Sequence, residues 1–322
     1  MKEEKMETFY DRWLQFWDEE EQQRAKARKL IHEDELQWVR TRQDYRVALL
    51  AAPDNGFFTQ GGVTMLVEIP EGWKTGKHSH GEEVMYVIEG DGCTVIDGER
   101  YDWEKGATVF IPFGAVHQHF NTGRGTIRFL AANAIHLERF VGLAKLVQYE
   151  DTSKMTAGEP KEPKAVSDIS TKKAGRIVFH LKEAPQTFAA PEQRKTGHFH
   201  ARRVDLMGTP GVGFEATEVQ ITTIMCDEVQ DYPEKHAHME AHVYVLQGEG
   251  YSIVDDVKVP WKKGTLLHVS GPATMHQHFN IGKGESQMLR VEFGMRSRFF
   301  EKIAQRTFPK VGTTFADIIG RH

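Results

Sequence analysis

Short apolar runs rich in β-branched and aromatic residues, each closed by turn-forming residues, dominate the pattern of this chain. Val84 to Ile88 and Thr94 to Ile96 are separated by Gly90-Asp91-Gly92, and the second run ends at Asp97-Gly98, a pair that favours a hairpin turn. The layout returns downstream, where Val243 to Leu246 and Tyr251 to Val254 flank Gly248-Glu249-Gly250 and stop at Asp255-Asp256. Runs of this length with turn signals between them predict antiparallel strands, and their repetition predicts two similar all-β units in one chain.

The period changes at the ends. Phe9, Trp13, Phe16 and Trp17 recur at helical spacing beside the charged run Asp18 to Arg28, which predicts a helix packing its aromatic face on a β unit or on a sister subunit. Phe299, Phe300, Ile303 and Ala304 predict a second helical segment near the C-terminus. Glu150 to Lys173 is rich in Lys, Glu, Pro, Ser and Thr with few large apolar residues, the composition of a linker. The expected organisation is a helical extension over 1–45, a first β unit over 46–149, a linker and intervening segment over 150–205, a second β unit over 206–294 and a helical tail over 295–322.

Composition narrows the partners. A formal charge of −5 gives no electrostatic case for nucleic acid, so a small molecule is the expected ligand. No apolar run approaches the roughly 18–20 residues that span a bilayer, and Met1-Lys2-Glu3-Glu4-Lys5 lacks the apolar core of a signal peptide. Only Cys93 and Cys226 are present, one in each β unit, so no structural disulfide is expected and a reducing, cytoplasmic setting fits. The glycine cluster Gly208 to Gly213 has no helix signal after it, which argues against a phosphate loop.

The chemistry lies in a duplicated histidine pattern. His78-Ser79-His80 is followed by His117-Gln118-His119-Phe120-Asn121, and His236-Ala237-His238 by His276-Gln277-His278-Phe279-Asn280. These clusters hold eight of the 16 histidines, and the copies are offset by 158 residues at the first pair and 159 at the second. Residues two apart on a strand share a face, so each His-x-His presents two imidazoles side by side, and a third can arrive from another strand. Converging neutral imidazoles suit Fe, Mn, Zn, Cu or Ni. His198-Phe199-His200 has no partner cluster downstream and reads as a solvated or loop feature.

Around the histidines, Gly72, His78, His80, Glu83 and Gly90 are followed by Gly106, Pro112, Gly114, His117 and Asn121. The second group has the spacing G-x5-P-x-G-x2-H-x3-N, and the first resembles G-x5-H-x-H-x(3 or 4)-E-x6-G with one residue fewer before Glu83. Together they resemble the two motifs of the cupin superfamily. The second copy departs in two places. Ala241 stands where Glu83 stands, and Ser270-Gly271-Pro272 replaces Pro112-Phe113-Gly114 with one extra residue before His276. The resemblance implies an all-β fold, two tandem jelly-roll barrels forming a bicupin, with helical extensions at both ends.

Among bicupins, the helical N-terminal extension, the strands carrying Tyr86 and Tyr244 and the His-Gln-His pairs resemble ring-cleaving dioxygenases of the gentisate and salicylate type. That likeness implies Fe(II) held by His78, His80 and His117, a hydroxylated aromatic acid and O2 as partners, and His119 as an acid or base beside the metal. His236, His238 and His276 are the ligand candidates of the second barrel, and homo-oligomers are common for this architecture. His278 matches His119, and both read equally as proton-transfer groups or as hydrogen-bonding neighbours of a ligand.

Three alternatives stay open from the residues. Should Glu82 or Glu83 bind the metal, the site gains a carboxylate, the set found in oxalate-degrading and isomerase-like cupins, with Mn, Ni or Zn in place of iron. Glu240 aligns with Glu82 rather than with Glu83, so the sequence does not say which acid points inward. A non-catalytic ligand-binding cupin is the third reading. Arg128 and Arg290, on strands after the second motif of each copy, are positioned to bind a substrate carboxylate. His242 and His268 lie on barrel strands without counterparts in the first copy and are weaker ligand candidates.

Overall fold

The structure is a computed structural model that describes residues 8–152, 175–195, 200–207, 212–229, 235–237, 240–271 and 274–293. His238, His198, Gly208 to Gly211, most of the linker-like segment and the tail read as helical over 295–322 lie outside the described residues.

Every strand pairing is antiparallel, as expected when short strands are joined by tight turns. In the first barrel Ile127–Asn133 lies between Val63–Ile69 and Glu83–Glu89 in a six-stranded sheet, facing a five-stranded sheet that contains Lys77–Ser79, Gly92–Ile96 and His117–Asn121. The second barrel repeats this with Ser286–Glu292 between Gln220–Asp227 and Ala241–Gln247 in a seven-stranded sheet, over a three-stranded sheet that includes His276–Asn280. The two barrels are therefore copies in topology as well as in motif, and the fold is all-β with a helix at the N-terminal side. The Asp97-Gly98 turn forms with both residues at positive φ, and Asp255-Asp256 does the same without a glycine.

The barrels are not separate bodies. One apolar cluster runs from Val84, Phe110 and Leu130 of the first barrel to Ile224, Leu289 and Phe293 of the second, which is why Glu83–Glu89 and Ala241–Gln247 are buried on both faces for most of their length. Edge strands are also exchanged. Leu30–His32, from the N-terminal segment, pairs with Thr265–Val269 of the second barrel, while Val178–Phe179, from the linker side, pairs with Thr108–Ile111 of the first. The segments expected to extend or link thus carry sheet structure, in strands of two or three residues too short to leave a periodic signature.

Two glutamates reinforce the interface with matching contacts. Glu82 reaches out of the first barrel to accept hydrogen bonds from the Thr217 and Glu218 backbone N–H groups at 2.9 and 2.7 Å and from the Thr217 hydroxyl at 3.0 Å. Glu240 reaches out of the second barrel to accept from the Gln60 and Gly61 N–H groups at 3.0 and 2.5 Å. Gly61 has to be a glycine here, since a Cβ would lie 2.5 Å from the Phe293 ring.

The helix Phe9–Lys26 forms with a capping box between Thr8 and Asp11, but Phe9, Trp13, Phe16 and Trp17 are exposed. The aromatic face does not pack on a barrel of its own chain. Among the described residues no helix is long and apolar enough to cross a membrane.

Candidate metal centre

His78 and His117 are direct cross-strand partners, and His80 follows two residues after His78 on the same face. The three rings pack with centroids 4.3 to 4.8 Å apart, and one ligand nitrogen from each lies within 4.8 Å of the others. Two of the rings are oriented by their own backbone. His117 Nδ1 donates to the Ala115 carbonyl at 3.0 Å and His80 Nδ1 to the Gly81 carbonyl at 2.9 Å, so their Nε2 atoms are left for a ligand.

The donor set fits a metal ion on two independent grounds. His117 Nε2 and His78 Nδ1 are buried without any hydrogen-bond partner, a costly arrangement unless something accepts their lone pairs. Burial, with help from neighbouring His80, pushes His78 down to about 2 and His117 well below the usual histidine range, so both are neutral, the form that ligates. His80 moves the other way, because the Glu83 carboxylate outweighs the burial that would lower it.

Alternation along the strand sorts the two acids. Glu82 is engaged with Thr217 and Glu218, so Glu83 faces inward, with Oε2 3.4 Å from His80 Nε2 and Oε1 3.9 Å from His119 Nε2. Glu83, His117 and His119 form a second ligand-capable trio around the same point. His119 is buried and pushed down to about 4 by that burial. Its Nδ1 meets the Thr94 hydroxyl at 2.8 Å, and the same hydroxyl accepts from the Trp103 indole N–H at 2.9 Å.

A cavity of about 360 Å³ opens from the histidines. His78, His80, Glu83 and His119 form one wall, Met65, Val67, Phe129 and Ala131 supply apolar surface, and Arg139 and Lys145 bring positive charge to the exposed side. Neither cation belongs to a motif, and both lie on the connection between Ile127–Asn133 and Val147–Glu150, so no spacing rule singles them out.

The structure does not bring Arg128 to this site. It pairs with Glu68 at 2.9 Å through Nε and with Glu33 at 2.7 Å, between the barrels. The reason is period two: Phe129 and Ala131 face the cavity, so Arg128, one residue before, faces away. Arg290 is likewise occupied, by the Thr222 hydroxyl at 3.1 Å and Glu292 at 3.3 Å. The motif asparagines are clamps, since Asn121 donates to the Ile69 and Gly125 carbonyls and Asn280 to those of Asp227 and Gly284.

The second barrel reproduces part of the arrangement. His236 and His276 exchange backbone hydrogen bonds of 3.0 and 2.8 Å, their rings lie 4.2 Å apart, and His276 Nδ1 donates to the Thr274 carbonyl at 3.1 Å. Ser252 takes the place of Thr94, bridging Trp261 at 3.0 Å and His278 at 2.7 Å. Burial pushes His278 down to about 3. The Thr94 and Ser252 relay was missed in the sequence, although two hydroxyl residues at the copy offset of 158 were its signal. With Ala241 in place of Glu83, the second barrel lacks the inward carboxylate. Cys93 and Cys226 are buried and are not joined in a disulfide.

A model of the cupin domain matches residues 65–133. An uncharacterised protein of Methanocaldococcus jannaschii is 34% identical over 67 residues, 20% of this chain and 54% of its own length, so the match spans about half of that relative. Among solved structures the chain is similar to the salicylate 1,2-dioxygenase of Pseudoaminobacter salicylatoxidans. A single-residue variant in complex with gentisate gives a TM-score of 0.62 at 12% identity over 93% of this chain and 95% of that one. Another gentisate adduct gives 0.59 at 13% identity over 79% and 75%. The oxalate decarboxylase of Bacillus subtilis, as a deletion variant, gives 0.57 at 12% identity over 83% and 77%. Identities this low speak to the fold alone: the chain carries a cupin domain over residues 65–133, and its two-barrel fold is similar to that of the salicylate dioxygenase and the oxalate decarboxylase.

Proposed function

We propose that the first barrel is the active site of a metal-dependent oxygenase, with His78, His80 and His117 holding Fe(II) and a small hydroxylated aromatic acid as substrate. The observation that carries this reading is the cavity: a histidine wall at one side, an apolar surface from Met65, Val67, Phe129 and Ala131 beside polar groups that include Asp44, Glu138, Arg139 and Lys145, and a volume of about 360 Å³, at the lower end of small-molecule sites. Bound Fe(II) would supply a route by which O2 reacts with an organic anion.

The chain's own residues then divide the remaining work. Phe129, Met65 and Val67 give a planar ring apolar contact and keep water from it. Arg139 and Lys145 attract the carboxylate to the open side. His119, held by Thr94, presents Nε2 towards the cavity and exchanges a proton with a substrate hydroxyl.

A second reading is favoured by Glu83, whose carboxylate lies among the histidines as a fourth oxygen donor would. That set suits Mn(II) and a decarboxylase or isomerase. Oxygen uptake by the iron-loaded protein with a panel of hydroxybenzoic acids, run beside CO2 release from small dicarboxylates by the manganese-loaded protein, separates the two. Uptake with a hydroxybenzoate is expected. Its absence across the panel, with CO2 release under manganese, would replace the first reading by the second, and no turnover in either would leave a ligand-binding cupin.

A further inference from the structure

Away from the first-barrel histidines, the described residues bring together another ligand-capable trio, Glu240, His242 and His268, whose candidate donor atoms all lie within 4.8 Å of one another. His242, on Ala241–Gln247, and His268, on Thr265–Val269, are direct cross-strand partners, and Glu240 is two residues before His242 and so on its side of the sheet. All three side chains are at most 1% exposed. Both Nε2 atoms converge on the same carboxylate oxygen, Glu240 Oε1, at 3.4 and 3.2 Å.

Glu240 already has a task, since it accepts the Gln60 and Gly61 N–H groups across the barrel interface. The first barrel shows what that task requires. At the offset of 158, Glu82 performs the same reach, while the positions of His242 and His268 are held by Val84 and Phe110, themselves direct cross-strand partners. The interbarrel contact therefore needs no imidazoles. Two histidines in place of an apolar pair, fully buried, add a function that the contact lacks. His242 Nδ1 is fixed by the Thr64 hydroxyl of the first barrel at 2.6 Å, which turns its buried Nε2 to Glu240 Oε1 at 3.4 Å without a well-formed hydrogen bond between them. A ring oriented through one nitrogen, with the other turned to a carboxylate shared with a second imidazole, is the arrangement of a metal-binding histidine.

We propose that Glu240, His242 and His268 form a closed site for one divalent transition-metal ion, zinc by preference, placed at the seam between the barrels. Two imidazoles and a carboxylate supply three of the four donors that a tetrahedral zinc ion takes, and the burial of all three leaves no room for a substrate. Because Glu240 and His242 also hold Gln60, Gly61 and Thr64, an ion there couples the second barrel to the first.

The test is metal content of the full chain by plasma mass spectrometry, after zinc loading and extensive dialysis against a chelator. A His117→Ala/His276→Ala background reduces binding at the two barrel sites, and His242→Val/His268→Phe added to it installs the first barrel's own residues. Retention of one equivalent of zinc in the background and its loss on adding the second pair is the expected result. Equal metal in both, or none in the background, overturns the proposal. A measurement on the unaltered protein covers the case in which the quadruple variant does not fold. Anomalous diffraction above and below the zinc edge should show a peak bounded by Glu240, His242 and His268, and a peak at His78, His80 and His117 with none at Glu240 overturns the proposal equally.

Discussion

The hydroxyl of Thr94 joins the Trp103 indole to His119 Nδ1 and favours the tautomer of His119 that carries its proton on Nε2. The Trp103 indole can only donate, so the Thr94 oxygen accepts from it at 2.9 Å, and the hydroxyl hydrogen is left for His119 Nδ1 at 2.8 Å. Neutral His119 then bears its hydrogen on Nε2, the nitrogen 3.9 Å from Glu83. Ser252 favours the same tautomer of His278 beside Trp261.

Replacing Thr94 by Val keeps the shape and removes the hydroxyl. The protein should fold and keep its metal, lose roughly 1–3 kcal/mol of stability from the orphaned indole N–H, and lose turnover by about 10-fold or more. Thr94→Ser should restore both. Steady-state kinetics over a range of pH check this, and an unchanged profile in the valine variant would remove His119 from the proton-transfer role.

His117→Ala should strip metal from the first barrel, with an affinity loss beyond the roughly 10–100-fold that follows loss of an outer hydrogen-bonding partner. Activity should vanish with it. His236→Ala should reduce activity less, because the second barrel lacks a counterpart of Glu83. Iron content and O2 uptake, measured on the same preparations, decide, and full activity in His117→Ala would refute the site assignment.

Glu82→Ala leaves the Thr217 and Glu218 N–H groups without their acceptor, at about 1–3 kcal/mol for the buried Glu218 donor and less for the exposed Thr217. Glu82→Gln should cost less, because an amide oxygen still accepts. Urea midpoints of the two variants should rank in that order below wild type. Identical midpoints would show that the interface does not depend on this contact.

How much of this was legible in the chain varies with the physics of each part. The strands and the Asp97-Gly98 turn announce themselves by β-branched runs and turn chemistry, and the histidines by their duplicated spacing. The exchanged strands Leu30–His32 and Val178–Phe179 are too short to show a period of two, and only the partner edge makes them strands. Glu82 and Glu83 could not be sorted because adjacent strand residues face opposite ways and the register is a tertiary property. Arg128 could not be placed for the same reason: its neighbours Phe129 and Leu130 are both apolar and offered both faces, and only the cavity lining shows which one points inward.

Glu218 provides a pH signature. Burial first, then the charges of Glu82 and Glu138, push its carboxyl up to about 7. A carboxyl raised in the folded state favours folding most below its ordinary value of 4.5, and that contribution is lost as pH rises towards 7. Glu218→Gln is spared this loss, so its stability relative to wild type should climb between about pH 5 and about pH 7 and level off above. Chemical denaturation of both proteins across that interval tests it, and a constant difference would contradict the shift.

Arg139→Ala should raise KM for an acidic substrate with little change in kcat, as expected of a group that attracts the carboxylate in ground and transition states alike. Arg128→Ala should leave KM alone and lower the melting temperature, since its partners are Glu33 and Glu68. The reverse pattern in kinetics and melting would exchange the roles of the two arginines.

During synthesis His32 emerges 233 residues ahead of Thr265, the residue it pairs with, and the first barrel's edge at Val109 waits for Val178. Each half of the chain therefore carries a piece of the other, and neither is finished when its own last strand has been made. A fragment ending in the linker would expose an unpaired edge, the kind of surface that draws proteins into aggregates. The halves of this chain are complementary parts of one object, and the duplication visible in its histidines did not leave two modules that can be parted.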